Sequence, residues 1–248
     1  MRDLYINPNI FYLFNKEIIE YDMKEAGFSL IQEYKLLDEK EIEKLKKLSK
    51  EKRKIKIGKL QIKYPNLSEN LKIAFKKARK LFFDENGLED SDILSIKKDA
   101  IFVKKRCDHT KFGDYIWFRP KHEYTSYILL GKRLELYYSP FDFSVKGISD
   151  DLLKYHENYM IDFLKLYFHK METCNNTTVI DFMRRFIDKY KRRELELGYY
   201  RNFNIKSDFS VVGEDEIKYM DFWESEKEKV DISYNYFNVL LKLIKIPL

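Results

Sequence analysis

Two aspartates sit inside short apolar runs, 77 residues apart. Asp22 lies in Ile18-Ile19-Glu20-Tyr21-Asp22-Met23, a run that continues into residues 24–31, and Asp99 lies in the run from Ile93 to Val103. An ionised carboxylate in an apolar strand is costly unless something pairs with it. Two such strands side by side offer both carboxylates to the same cations. That is the arrangement of a two-metal phosphoryl-transfer site, with ions roughly 3.5–4 Å apart. The competing reading places each aspartate at a strand end or turn with no shared role.

Other chemistries have less behind them. Cys107, Cys174 and four histidines give no zinc spacing and no disulfide framework, and a reducing, intracellular setting is the default. Cys107-Asp108-His109 is too compact for a nucleophilic dyad, and His156 and His169 fall on a helix where packing or exposure explains them. No run approaches the ~20 apolar residues of a membrane span, and Met1–Tyr5 has none of the regions of a secretory signal. The expectation is a cytoplasmic protein with no membrane partner.

Net charge is +6, and its placement is uneven. Residues 40–63 hold eleven Lys/Arg against three Glu, and residues 184–193 add six bases against Asp188. Residues 214–229 reverse the sign, with seven acids and three bases. Basic patches on a chain with 19 Tyr and 19 Phe suit a polyanion, with aromatics available to stack on bases. Solvated helix faces are the plainer explanation of the same patches.

Long regular elements must carry these residues, because only 8 Gly and 5 Pro interrupt the chain. Residues 16–23 alternate as a strand, and a lysine-rich helical pair fills 38–57. Ser68 is placed to cap a helix over 69–86, ended by Gly87 in a left-handed conformation. Its apolar face carries Leu71, Phe75, Ala78 and Phe82, and its polar face Lys72, Lys76, Arg79 and Lys80. Strands are expected at 93–103 and near 115–118, with a hairpin over 124–130 and 133–138. Ser149 then caps a helix running to about Met171, and a basic amphipathic helix runs from Thr178 to about Leu195. A sheet-and-helix lobe thus gives way near 148 to a helical lobe. The last 40 residues are ambiguous, with short strands near 209–212 and a helix near 232–244.

These residues, in this order, resemble the polymerase module of the family B DNA polymerases. That family's first motif is a strand-borne Asp with Ser seven residues on, as in Asp22 and Ser29. Its second, Lys-x-x-x-Asn-Ser-x-Tyr-Gly, is similar to the segment from Lys50 to Gly58, which keeps the Lys and Gly alone. Its third, Tyr-Gly-Asp-Thr-Asp-Ser, matches Ser95-Ile96-Lys97-Lys98-Asp99-Ala100 only at the second Asp. A Lys-x-Tyr element and a Lys-Gly element follow, to which Lys121-His122-Glu123-Tyr124, with one residue more between Lys and Tyr, and Lys146-Gly147 are similar. The resemblance covers roughly residues 15–200, with no room for an exonuclease domain.

The resemblance implies an α+β fold: a polymerase-like palm with an antiparallel sheet and packed helices, short helical fingers and a helical thumb. Residues 1–148 would form the palm with fingers at about 36–58, and 149–248 the thumb and C-terminal segment. The implied activity is a DNA polymerase-like nucleotidyltransferase, extending a primer strand with nucleoside triphosphates during DNA replication. Asp22 and Asp99 would hold two Mg²⁺ or Mn²⁺. Lys50, Arg53 and Gly27 would meet the nucleotide. Lys121, Tyr124, Lys146, Gly147, Arg184, Arg185 and Arg192 would meet the primer–template. The acidic C-terminal segment would cover the cleft or bind a protein partner. The small size and composition suit a phage or mobile element in an AT-rich genome, and a phage source would place the chain in the host cytoplasm.

Three departures from the family pattern matter. Lys97 replaces the first acid of the third motif. Gly27 stands where the family has a tyrosine that excludes a 2′-hydroxyl, so ribonucleotides are accepted unless Phe28 takes over. Only 27 residues separate Asp22 from Lys50, so the fingers are a short hairpin. Two alternatives follow: a catalytically degenerate polymerase-fold protein that binds nucleic acid, and a primase-like RNA-synthesising enzyme.

Overall fold

The computed structural model describes residues 4–147, 150–196 and 199. The chain runs β1 (Leu4–Ile6), β2 (Tyr12–Leu13), β3 (Ile18–Met23), α1 (Ala26–Glu33), α2 (Glu39–Lys46), α3 (Lys50–Lys63) and α4 (Pro65–Glu85). It continues through a 3₁₀ turn at Asp90–Asp92 to β4 (Ile93–Lys97), β5 (Ala100–Val103), β6 (Lys111–Phe112), β7 (Ile116–Tyr124), β8 (Ser126–Leu130) and β9 (Leu134–Tyr138). β10 (Phe143–Lys146), α5 (Asp150–Thr173) and α6 (Asn176–Lys191) complete it. The class is α+β, with two antiparallel sheets, as the sequence led us to expect. The expected elements at 209–212 and 232–244, the acidic run 214–229 and Ser149 lie outside the described residues.

The described residues form two compact units, one from residues up to Ile10 and 16–125, the other from Phe11–Asn15 and the residues described from Ser126 on. The division falls at Thr125/Ser126 instead of near 148. The reason is strand pairing: β8 pairs with the two-residue β2, so the hairpin that follows Tyr124 belongs to a separate sheet of order β10-β9-β8-β2. The second unit is therefore a sheet packed on two helices, not a purely helical lobe.

In the first unit the sheet order is β1-β4-β5-β3-β7-β6. Alternation sends Ile19, Tyr21 and Met23 of β3, Ile101 and Val103 of β5, and Ile116 and Phe118 of β7 into one core with α1 and α4. Phe82 of α4 anchors it, with its ring centroid 4.6 Å from Phe118 and 5.2 Å from Tyr21. Truncating a buried Phe of this kind costs about 3–5 kcal/mol. Because the period is two, Glu20 and Asp22, with Trp117 and Arg119, must lie on the opposite face.

Local signals set the ends of these elements. Asp38 and Ser49 cap α2 and α3 through the backbone N–H groups of Glu41 and Lys52. α4 begins at Pro65, four residues before the expected start, because proline suits the first helical position. Its end is as expected: Gly87 has φ 54°, and the N–H groups of Gly87 and Leu88 donate to the carbonyls of Asp84 (3.2 Å) and Phe83 (2.9 Å). The apolar run after the first strand is a helix, α1. Glu25 reverses the chain at φ 47°, and Ala26, Phe28, Leu30 and Ile31 then bury at helical spacing.

The single strand expected over 93–103 is a hairpin. Lys97 pairs with Ala100, and Lys98-Asp99 forms the two-residue connection, with Lys98 at φ 58°. In the second unit, Ile128, Leu130, Leu136 and Tyr138 pack on Phe163, Leu164, Tyr167 and Phe168 of α5 and Val179, Met183 and Tyr190 of α6. Asn175 caps α6 by accepting from the Thr178 N–H at 2.9 Å, so the helix begins at Asn176, two residues before the expected start.

Candidate active site

The site begins with β3, which carries Asp22 between two neighbours. Asp22 is paired with Ala100 of β5 on one side and with Arg119 of β7 on the other. The β4–β5 turn brings Asp99 to the same end of the sheet, where the Met23 N–H donates to the Asp99 carbonyl at 3.2 Å. Adjacent strands are about 4.8 Å apart, so two residues 77 apart in sequence become neighbours.

Each carboxylate lies within the other's field. The Asp22 carboxyl is held above its ordinary value, first by burial and next by the negative charge of Asp99, with a further upward push from Glu20. Lys121 and Arg119 pull it the other way, and Arg119 Nη2 lies 4.0 Å from Asp22 Oδ2. The Asp22 side chain is 25% exposed, half-buried yet open to an approaching ion.

Glu20 is an acid that reading the motifs passed over. It shares the face of Asp22 two residues upstream and is buried. Lys121 Nζ stands 3.5 Å from its Oε1, and the Tyr124 hydroxyl donates to its Oε2 at 3.3 Å. The signal was present: a second carboxylate at i−2 in the same apolar strand.

Arg79 is the second omission. The helical pattern put it on the polar face of α4, but it is only 1% exposed. Its Nη1 donates to the Lys98 carbonyl at 2.7 Å, so α4 grips the turn that presents Asp99. Its position four residues after Phe75 and three before Phe82, at the edge of the apolar stripe, is the trace it left in the sequence.

Among the described residues, no three His, Cys, Asp or Glu side chains are grouped to hold a metal ion. Two carboxylates suit a different case. Mg²⁺ is a hard cation that commonly binds through one or two carboxylates together with substrate phosphates. The Asp22–Asp99 pair has the right donor type for an ion completed by a triphosphate.

A family model described as Bacteriophage PBS1 gene 130 protein matches residues 1–248. The chain belongs to that family. No curated protein matches it. The family is a phage protein family, in keeping with the expectation from composition. No helix among the described residues is long and apolar enough to cross a membrane.

The remaining expected residues of this phage protein fall in several places. Lys50 is exposed at the first position of α3. Arg53 is committed to structure: Nε donates to the Leu45 carbonyl at 3.0 Å, Nη2 to the Leu48 carbonyl at 2.8 Å, and Nη1 to Glu25. Its guanidinium lies 4.3 Å from the Phe28 ring centroid. It thus caps the end of α2 and ties α3 to the turn after β3. Phe28 is buried beneath it, which corrects the idea that Phe28 reaches a sugar. At Gly27 an added Cβ would meet nothing within 4 Å, so the position has open space.

Tyr124 is 2% exposed and holds Glu20, which removes it from the surface where it could touch a nucleic acid strand. Lys121 remains half-exposed beside Glu20. Lys146 lies in β10 opposite Glu135. Gly147 has a backbone reason of its own: φ is 98°, and a Cβ would stand 2.0 Å from the Arg133 carbonyl oxygen. Arg184, Arg185 and Arg192 are exposed on and just after α6. Lys146, Gly147 and these arginines belong to the second unit, whereas Asp22 and Asp99 belong to the first. Tyr199 packs on Tyr159 and Phe186, at 4.9 and 5.7 Å between centroids. Cys107 is buried, which pushes its thiol up to about 11 and leaves no ready nucleophile.

Proposed function

We propose that this phage protein is a nucleotidyltransferase resembling a minimal family B DNA polymerase. It extends a primer strand on a template with nucleoside triphosphates, in DNA replication within the host cytoplasm. The observation that carries the reading is the Asp22–Asp99 pair: a carboxylate on β3 and one in the β4–β5 turn beside it, from distant segments, with Asp22 destabilised as an anion by burial and by Asp99. Such an arrangement weakens the fold unless a cation uses it. Two Mg²⁺ or Mn²⁺ ions held there would supply activation of the 3′-hydroxyl and neutralisation of the leaving pyrophosphate.

The chain's own groups do the rest. Arg79 positions Asp99 through the Lys98 carbonyl, and Arg53 fixes the turn after β3 through Glu25. Lys121 and Arg119 moderate the charge on Asp22. Lys50 is an exposed cation for the triphosphate, and the open space at Gly27 admits a sugar with its 2′-hydroxyl, which extends the reading to RNA synthesis. Lys146, Arg184, Arg185 and Arg192 are the candidates for the duplex.

A non-catalytic nucleic-acid-binding protein is the second reading. It is favoured by Lys97 and Lys98 beside Asp99 and by the lack of a three-acid group among the described residues. Extension of a labelled primer–template with dNTPs or rNTPs in Mg²⁺ or Mn²⁺ separates the two. Wild type should extend, and Asp22→Ala and Asp99→Ala should not. A folded wild type that binds the primer–template without extending it would leave the binding protein standing.

A further inference from the structure

Next to the carboxylate pair, on the same face of the sheet, β7 presents Trp117 between three cations. Ile116 and Phe118 point into the core, so Trp117 and Arg119 project from the opposite face, as Asp22 does. Lys24 Nζ lies 5.3 Å from the indole centroid, Lys111 Nζ 5.1 Å and the Arg119 guanidinium carbon 5.7 Å. The sheet order explains their placement. Lys24 follows β3, and its N–H donates to the Trp117 carbonyl at 2.9 Å, while Lys111 is the cross-strand partner of Trp117 on β6. Since β3 and β6 flank β7 on opposite sides, the two lysines bracket the ring, and Arg119 closes it along the strand.

Three like charges within about 6 Å of one ring repel one another, and a single quadrupole does not neutralise them. Arg119 has the distant company of Asp22, but neither Lys24 nor Lys111 has a carboxylate partner among the described residues. The cluster is therefore a positive field centred on a partly exposed aromatic plane, one strand away from Asp22.

We propose that Trp117 is a base-stacking platform for a single-stranded nucleic acid segment, with the flexible Lys24, Lys111 and Arg119 side chains that cover the ring swinging aside to meet the phosphates around the stacked base. Aromatic planes among cations are how proteins hold single strands without reading their sequence. A strand fits better than a free nucleotide because a nucleotide within a strand has phosphates on both sides of its base, and here cations stand on both sides of the ring. In the polymerase reading, on which only this placement rests, the platform would hold the unpaired strand beside the reacting end. Binding itself needs no chemistry.

The chain has two tryptophans, Trp117 and Trp223. A Trp223→Phe background therefore makes Trp117 the only indole reporter. Oligothymidylate is titrated in EDTA, with dTTP and a fully paired duplex as comparisons. Saturable quenching of Trp117 by oligothymidylate is expected, at concentrations where dTTP has little effect. In the full chain, measured by anisotropy of labelled oligothymidylate, Trp117→Ala should weaken binding about 5- to 100-fold. Trp117→Phe should retain part of the affinity, and Lys24→Gln and Lys111→Gln should each lower the salt slope by about 0.7.

Unquenched Trp117, or affinity and salt slope unchanged in Trp117→Phe and both lysine variants, would overturn the platform. So would equal quenching by dTTP, which would assign a single-nucleotide site. Should Trp117→Ala not fold, the Phe and lysine variants decide. Trp117-dependent binding without primer extension would remove the polymerase reading and keep the platform. Extension with binding indifferent to Trp117 would do the reverse.

Discussion

Arg79→Met tests whether a buried arginine sets the position of a candidate metal ligand. Arg79 is 1% exposed and its Nη1 reaches the Lys98 carbonyl at 2.7 Å. A hydrogen bond involving a charged group contributes about 1.5–3 kcal/mol. Methionine fills much of the volume without returning that bond, and it removes a buried charge, which offsets part of the loss. The net destabilisation should be about 1–2 kcal/mol, a fall of roughly 0.5–1 M in the urea midpoint for a slope near 2 kcal/mol/M. The effect on activity should be larger than stability explains. Freed from α4, the Lys98–Asp99 turn shifts, and a displacement of about 1 Å at a reacting centre costs on the order of 10²-fold. Single-turnover extension per folded molecule is the readout, with Arg79→Lys, which keeps one donor, recovering part of the rate. A variant that loses the expected stability yet extends normally would refute the link from Arg79 to Asp99. An unchanged urea midpoint would refute the hydrogen bond itself.

Asp22→Asn should raise the urea midpoint of the metal-free protein at neutral pH. The folded-state pKa of Asp22 is raised, by burial and then by Asp99, so the folded state binds more protons than the unfolded one and the ionised group weakens the fold above that window. The gain should shrink as pH falls toward the ordinary aspartate range, and a variant less stable than wild type at pH 7 would contradict it. Gly147→Ala should cost about 2 kcal/mol or more, read by thermal melting of the second unit, because φ is 98° and the Arg133 carbonyl occupies the Cβ position. Gly27→Tyr fills open space on a helix, so it should fold and lower ribonucleotide incorporation by on the order of 10²-fold relative to deoxyribonucleotide. An unchanged ratio would show that the sugar passes elsewhere.

What the sequence disclosed and what it hid follow from the range of the interactions. The two apolar runs around Asp22 and Asp99 were visible because alternation is local, and so were the caps at Gly87 and the helical pair over 38–57. The hairpin was hidden because Lys98 takes a left-handed φ that Gly or Asn would have announced, and its hold comes from Arg79 nineteen residues earlier. Tyr124 matched a short pattern, but its place beside Ile18 and over Glu20 depends on the irregular register between β3 and β7. The unit boundary was hidden for a similar reason. It depends on a two-residue strand at Tyr12–Leu13 pairing with residues more than a hundred positions later.

The most direct measurement is pyrophosphate release from a template-matched dNTP on a primer–template in Mg²⁺ or Mn²⁺, comparing wild type with Asp22→Asn and Asp99→Asn. Both variants keep the shape of the side chain and remove only the charge. Wild type should release pyrophosphate in step with primer extension, and each variant should lose roughly 10³-fold or more, the scale expected when several kcal/mol of metal-borne stabilisation disappear. Folded wild type that releases no pyrophosphate with either ion, or variants that match it, would contradict the assignment of Asp22 and Asp99.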